Sequence, residues 1–437
     1  MMDKEKQLQR ISADRCNSLV QFYPAALQEM PADAVAIVVD DNLIQRDTVC
    51  AAGSHMLYSF RPPFQAEAIT RAQAAGYTVI GRANIGEFNM AGSETSWFGP
   101  TLHPQDTAHL TSGAAAAVAQ GFAEAALIVD AGGANLRQAA LGGCSAFRPT
   151  YGSVSRFGII AFLSSSEQIG GVARDIDTAA ALVQAVAGHD EKDATSLPKP
   201  QYDYAAAADV AGLRIALVED LLAAAGAPAR AATEQAAEAL AAAGAQISRI
   251  RLRQAALAPQ ALAVMAAAEG CNNISRFDGV KYGYRTANYR NIEELYCRSR
   301  GEAIGETAKC LAMLGSLVLA KDNYEPYYRK ALQVRYLVKQ ELDQIFTSCD
   351  LLLAPVAPAE APLAADAAAS PFPFCDPAHA FGAAATLAGL PVAVLPYGTA
   401  ENGLPFGLQL FADSGHDSLP LRAAKALQAA PRKGGAC

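Results

Sequence analysis

Residues able to do covalent chemistry are thinly spread in this sequence, and the most suggestive segment is Ala125 to Gly152, AALIVDAGGANLRQAALGGCSAFRPTYG. Within it, Gly132 and Gly133 form a pair whose backbone N–H groups can point at a carboxylate or a developing oxyanion. The next residue, Ala134, ends in a methyl group with no lone pair, so it cannot attack a carbonyl. The candidate hydroxyls are Ser93, Thr111 and Ser112, and the nearest thiol is Cys144. No histidine stands near Cys144 in sequence to activate it, and a buried cysteine is more often a small hydrophobe than a nucleophile. Asp40 and Asp41 are adjacent acids in a polar turn, where solvation is the expected state and a metal pair the less favoured one. The six histidines show no i,i+4 pairing and no carboxylate cluster, so no metal is predicted. Gly132 and Gly133 belong to no Walker or Rossmann motif, and no cofactor is predicted.

The elements that must position these residues alternate. Short apolar strands are expected at 34–39, 77–80, 126–129 and 158–162, with helical stretches at 63–75, 84–88 and 113–121 between them. Further strands are expected at 213–219, 351–355, 392–396 and 407–411, and an alanine-rich helix at 231–243. That pattern argues for a layered α/β protein, a central mixed sheet flanked by helices on both faces. Residues 254–347 keep helical periodicity, so about 200–345 reads as a mostly helical insertion, reached through a proline-punctuated linker at 196–204. The proline- and alanine-rich stretch 355–373 reads as a mobile loop. Because strands resume after the insertion, residues 1–437 read as one continuous domain.

Composition narrows the function classes. The 437 residues are 51% apolar and 18% charged, enough for a substantial core. A net charge of −8 argues against direct nucleic-acid binding, which favours a basic stripe. The first 16 residues are polar, no run of about 18 apolar residues appears, and the nine scattered cysteines contain no C-x-x-C. These features predict a cytoplasmic protein without a membrane segment.

Several segments, in order, resemble the amidase signature family: GRANIGEFNM (81–90), FGPT (98–101), the DAGG loop, RPTYGSVSRFGIIAFLSSSEQIGGVARD (148–175), AGHDEKDATS (187–196) and TLAGLPVAVLPYG (386–398). Within it they are most similar to the A subunits of glutamyl-tRNA(Gln) amidotransferases, with a shortened N-terminal helical region at 1–33. The resemblance implies the family's α/β fold and its triad, in which a neutral lysine and a bridging serine in a cis peptide activate a nucleophilic serine. At those positions this sequence has other residues. Asp40 falls on the lysine, Leu110 on the bridging serine with Thr111 beside it, and Ala134 on the nucleophile of D-T-G-G-S-I-R. A local slip in alignment would bring Thr111 or Ser112 to the bridging site.

The family's arginine-bearing K-R-R-I-M-L-G segment is Lys309-Cys310-Leu311-Ala312-Met313-Leu314-Gly315, and its later acidic residue falls on His379. Both changes argue against a glutamine pocket. The resemblance therefore implies a catalytically inactive relative that binds a small ligand or a partner, such as a B- or C-type amidotransferase subunit or a related A-type one. Its remnant loop at Gly132 and Gly133 is the candidate binding element. The alternative is an active amidase or amidotransferase subunit with a rewired site, using Thr111, Ser112 or Ser93.

Overall fold

A computed structural model describes residues 4–199, 202–368 and 376–430. Residues 200 and 201 of the expected linker, and 369–373 of the expected mobile loop, lie outside the described residues. Eleven strands form one sheet: β1 (Leu19–Phe22), β2 (Val35–Asp40), β3 (Tyr77–Ala83), β4 (Ala125–Asp130), β5 (Ser145–Arg148), β6 (Gln168–Ala173), β7 (Arg214–Val218), β8 (Gln246–Ile250), β9 (Leu351–Pro355), β10 (Val392–Thr399) and β11 (Pro405–Phe411). Their order is β1-β3-β2-β4-β6-β5-β10-β11-β9-β7-β8. β2 runs parallel to β3 and β4, and β7 parallel to β8 and β9, while the middle strands pair antiparallel.

Central strands such as β4 (AALIVD) and β9 (LLLAP) are buried along their whole length. Continuous apolar runs of this kind need cover on both faces, which the helices provide. Helix Ile176–Val186 packs on β5 and β6, and Ala227–Ala242 and Ser418–Ala429 pack on the β9–β11 region. The resulting apolar core is continuous from Ile11 to Leu427.

The stretch expected to be mostly helical first adds β7 and β8 to one edge of the sheet, then forms helices Ala258–Ile274, Ile292–Ala303, Glu306–Leu319 and Lys330–Phe346. Buried Glu87 ties this tier to the sheet side. Its carboxylate accepts the Gly305 N–H at 2.9 Å, at the start of helix Glu306–Leu319, and the Ser54 hydroxyl at 2.6 Å.

Two local expectations are corrected. Residues 158–162 form no strand beyond an isolated bridge between Leu43 and Ile159, because their N–H groups go to separate partners: Ile159 to the Arg156 carbonyl, Ile160 to the Asn42 carbonyl and Phe162 to the Glu167 carboxylate. Residues 84–88 form no α-helix: a single 3-10 turn spans Glu87–Asn89, and Phe88 takes φ 51° while donating its N–H to Ala52 at 2.7 Å.

The loop after β4 is packed backbone to backbone against helix Ala380–Leu387. Gly133 sits at φ +83°, and a Cβ there would lie 2.9 Å from the Gly382 Cα. A Cβ on Gly382 would lie 2.9 Å from the Gly132 carbonyl oxygen. Two chains this close leave room only for glycine. Gly382→Ala is therefore expected to cost about 1–3 kcal/mol through overpacking, read as a lower denaturant midpoint. Gly301→Ala, where a Cβ meets open space, is the control and should lose nothing.

Candidate functional site

β4 ends at Asp130, and the carboxylate of that residue organises everything after it. It accepts the N–H of Gly133 and of Asn135, each at 3.0 Å, and so caps the start of helix Ala134–Leu141. Behind it lies the buried guanidinium of Arg148, 2.5 Å from Asp130 Oδ2 and 2.9 Å from Thr386 Oγ1. Burial pulls the Arg148 guanidinium below its ordinary range, against the pull of Asp130. Asn89 and Asn135 both donate to the Val129 carbonyl, at 2.7 and 2.6 Å. The Gly-Gly loop is thus fixed on three sides.

Ala134, the first residue of that helix, sits on the wall of a cavity of about 610 Å³. Leu110, Thr111 and Ser112, leading into helix Gly113–Ala119, line the same cavity, as do Ser93, Glu94, Arg137 and His379. A smaller cavity of about 50 Å³ meets Gly132 and Ala134 on the other side, under Leu262 and Phe162. Two of the three expected triad positions, Leu110 and Ala134, therefore share one wall.

Asp40 does not line that cavity. It is 2% exposed at the end of β2, with Oδ2 accepting the Val129 N–H at 2.9 Å. Asp41 beside it is fully buried and pairs with the buried Arg82 at 2.8 Å. The reading of both as solvated turn residues is corrected, because the turn is folded under loop residues 51–53 and against β4. Burial pushes the Asp40 carboxyl up to about 8; the Val129 N–H opposes this, while Asp41 and Asp130 add to it as like charges. At neutral pH the Asp40 side chain is therefore a neutral carboxylic acid.

The residual hydroxyls are committed to the backbone. Thr111 Oγ1 donates to the Gln138 carbonyl at 3.3 Å, and Ser112 Oγ caps its helix by accepting the Ala115 N–H at 3.2 Å. Ser93 Oγ donates to the Thr111 carbonyl and accepts the Thr101 N–H. Cys144 is buried with its thiol pushed up to about 12 by desolvation, so it is not a thiolate. The Gly133 N–H already serves Asp130, which corrects its reading as an oxyanion donor; Gly132 remains on the smaller cavity. The described backbone contains no cis peptide bond. Among the described residues, no group of three or more His, Cys, Asp or Glu could hold a metal.

Helix Glu306–Leu319 carries Lys309 to Gly315 away from the cavity, with Met313 73% exposed and Lys309 donating to the Gly301 carbonyl. What sequence reasoning missed is Arg137. It stands three residues after Ala134, a spacing that places both on one helical face, and it lines the cavity.

The family model for amidases matches residues 17–421. This chain belongs to the amidase family. Among members of the family, it is 37% identical over 398 residues to the A subunit of glutamyl-tRNA(Gln) amidotransferase from Agathobacter rectalis, covering 89% of this chain and 79% of the relative. It is 36% identical over 419 residues to the corresponding protein of Wolinella succinogenes, covering 94% and 93%. The solved structure of the Thermotoga maritima counterpart superposes with a TM-score of 0.81 at 28% identity, covering 97% of this chain and 90% of that one. The mixed α/β architecture is thus the amidase-family fold. No helix among the described residues is long and apolar enough to cross a membrane.

Asp40 gives the fold a pH signature. Below about pH 4 both folded and unfolded chains hold its proton, and burial costs nothing extra. Between pH 4 and about 8 only the unfolded chain ionises, so stability falls as pH rises through that window, then levels off. Asp40→Asn keeps an acceptor for the Val129 N–H and removes the titration. Its stability gain is expected to be near zero at pH 4 and to grow with pH to several kcal/mol, on the order of 5, at pH 8, measured by urea unfolding at both values.

Proposed function

We propose that this chain is a catalytically silent member of the amidase family, derived from an ancestor like the amidotransferase A subunits and working by binding. The observation that carries this reading is Ala134. A methyl group stands at the helix start beside the cavity, where the resemblance puts the nucleophile. The positions of the other two triad members are occupied by Leu110 and by Asp40, and Asp40 is sealed away from the cavity. In this reading the protein works in the cytoplasm, as one unit. It binds a small ligand in the cavity, or a B- or C-type amidotransferase subunit or a related A-type one.

The competing reading, an active amidase or amidotransferase subunit with a rewired site, draws on the relatives, which carry the amidotransferase name at 36–37% identity. It requires Thr111, Ser112 or Ser93 to leave its backbone hydrogen bond and find a base. No Lys lines the cavity among the described residues.

The deciding assay follows ammonia released from glutamine, asparagine and a panel of small amides. The natural protein is expected to stay at background. The combined variant Ala134→Ser, Leu110→Ser, Asp40→Lys is expected to gain measurable release, with Ala134→Ser alone as the control for a lone hydroxyl. Turnover by the natural protein of about one per second or more, the ordinary enzymatic range, would overturn the proposal.

A further inference from the structure

We infer that the 610 Å³ cavity binds a small monocarboxylate with an apolar body, and that Arg137 is its anchor. This rests on the binding role proposed above and names the chemistry of its small-ligand arm.

Three features of the cavity point to this ligand. First, Arg137 is the only Lys or Arg among the described residues that line it. Second, its guanidinium makes no side-chain hydrogen bond and no close ion pair with any described residue. Every other deeply placed arginine is engaged: Arg82 by Asp41, Arg148 by Asp130, and Arg335 by the carbonyls of Leu387 and Ser165. Five N–H donors in a planar fork, held at a cavity wall without partners, match the two oxygens of a carboxylate. Third, the rest of the wall is largely apolar, with Leu110, Leu141, Ala134, Ala357 and Pro358 among its members. Two of these, Leu110 and Ala134, are the positions where the family resemblance puts hydroxyls.

The surroundings also set the ligand's charge. Glu94, Glu360, Asp366 and Asp376 line the same cavity. Burial lowers the Arg137 pKa, and Asp376, Asp130 and Glu94 hold it up through space without touching it. A phosphate-like dianion would meet four carboxylates against one guanidinium. A single carboxylate asks for one cation only, and its apolar remainder fits the alanine, leucine and proline walls.

The test is calorimetric titration of the natural protein with hexanoate, hexanamide and hexylamine at low salt. Hexanoate is expected to bind at one site per chain and more tightly than hexanamide, which has the same body without the charge. Arg137→Gln should weaken hexanoate by about tenfold or more, the worth of a charge-assisted hydrogen bond. Arg249→Ala, at an exposed pair with Glu234, should change nothing. Binding of hexylamine in preference to hexanoate, or unchanged hexanoate affinity in Arg137→Gln, would overturn the inference. If Arg137→Gln fails to fold, the comparison of hexanoate with hexanamide on the natural protein still decides. Ammonia release is read separately: activity there sinks the silent-enzyme reading, whereas loss of hexanoate binding sinks only this one.

Discussion

The buried contact between Asp130 and Arg148 is what the rest of the site depends on. A carboxylate at the end of β4 is taken out of water, so it needs a cation and several donors. Arg148 supplies the cation from β5, two strands away across β6, and Thr386 joins from helix Ala380–Leu387. The Gly133 and Asn135 N–H groups supply the donors. One side chain thereby couples the sheet, the glycine loop, the helix that follows it and a helix distant in sequence. Removing either partner of such a pair leaves a buried charge uncompensated, a loss of roughly 3–5 kcal/mol. The geometry of the loop is thus enforced by folding stability, with no contribution required from chemistry at residue 134.

The shape of this loop therefore does not depend on the side chain at residue 134. Asp130, Gly132 and Gly133 match the family motif, and each has a structural duty: the cap, the carbonyl packed against Gly382, and the left-handed turn. Ala134 has none beyond starting a helix, for which alanine is well suited. Leu110 is buried at 2% exposure and contributes packing at the cavity wall. The residues that shape this loop are thus held by packing and hydrogen bonds that do not depend on the side chain at 134.

Much of the fold was legible in the sequence because its central strands are continuous apolar runs; β2, β4, β9 and β10 stand where their β-branched and leucine-rich stretches put them. β1 (LVQF), β5 (SAFR), β6 (QIGGVA) and β8 (QISRI) were missed. Each is short, glycine-bearing or polar, and becomes a strand only through its neighbours in the sheet. Residues 158–162 failed in the opposite direction: the apolar run is real, but its N–H groups are shared among the Arg156 carbonyl, the Asn42 carbonyl and the Glu167 carboxylate, so no ladder forms. At the site, Ala134, Leu110, Thr111, Ser112 and Ser93 were named from the sequence, and the structure brings all five to one cavity wall. The burial of Asp40 and Asp41 was not legible, since their sequence is that of a turn and only the approach of Arg82 and the Val129 N–H reveals an interior one.

Charge at Asp40 is set by the interior in the same way. A lysine works as a base in an interior site only because burial holds it neutral. Asp40 reaches neutrality from the other side, by keeping a proton that solvent would take, since desolvation and the nearby Asp41 and Asp130 disfavour its anion. Either residue therefore satisfies the interior's demand for an uncharged group in that place. A protonated carboxyl whose other oxygen accepts the Val129 N–H, however, has no lone pair of useful basicity to offer a hydroxyl, and it lies outside the cavity wall. Asp40 thus meets the interior's demand for an uncharged group while offering no base to the cavity.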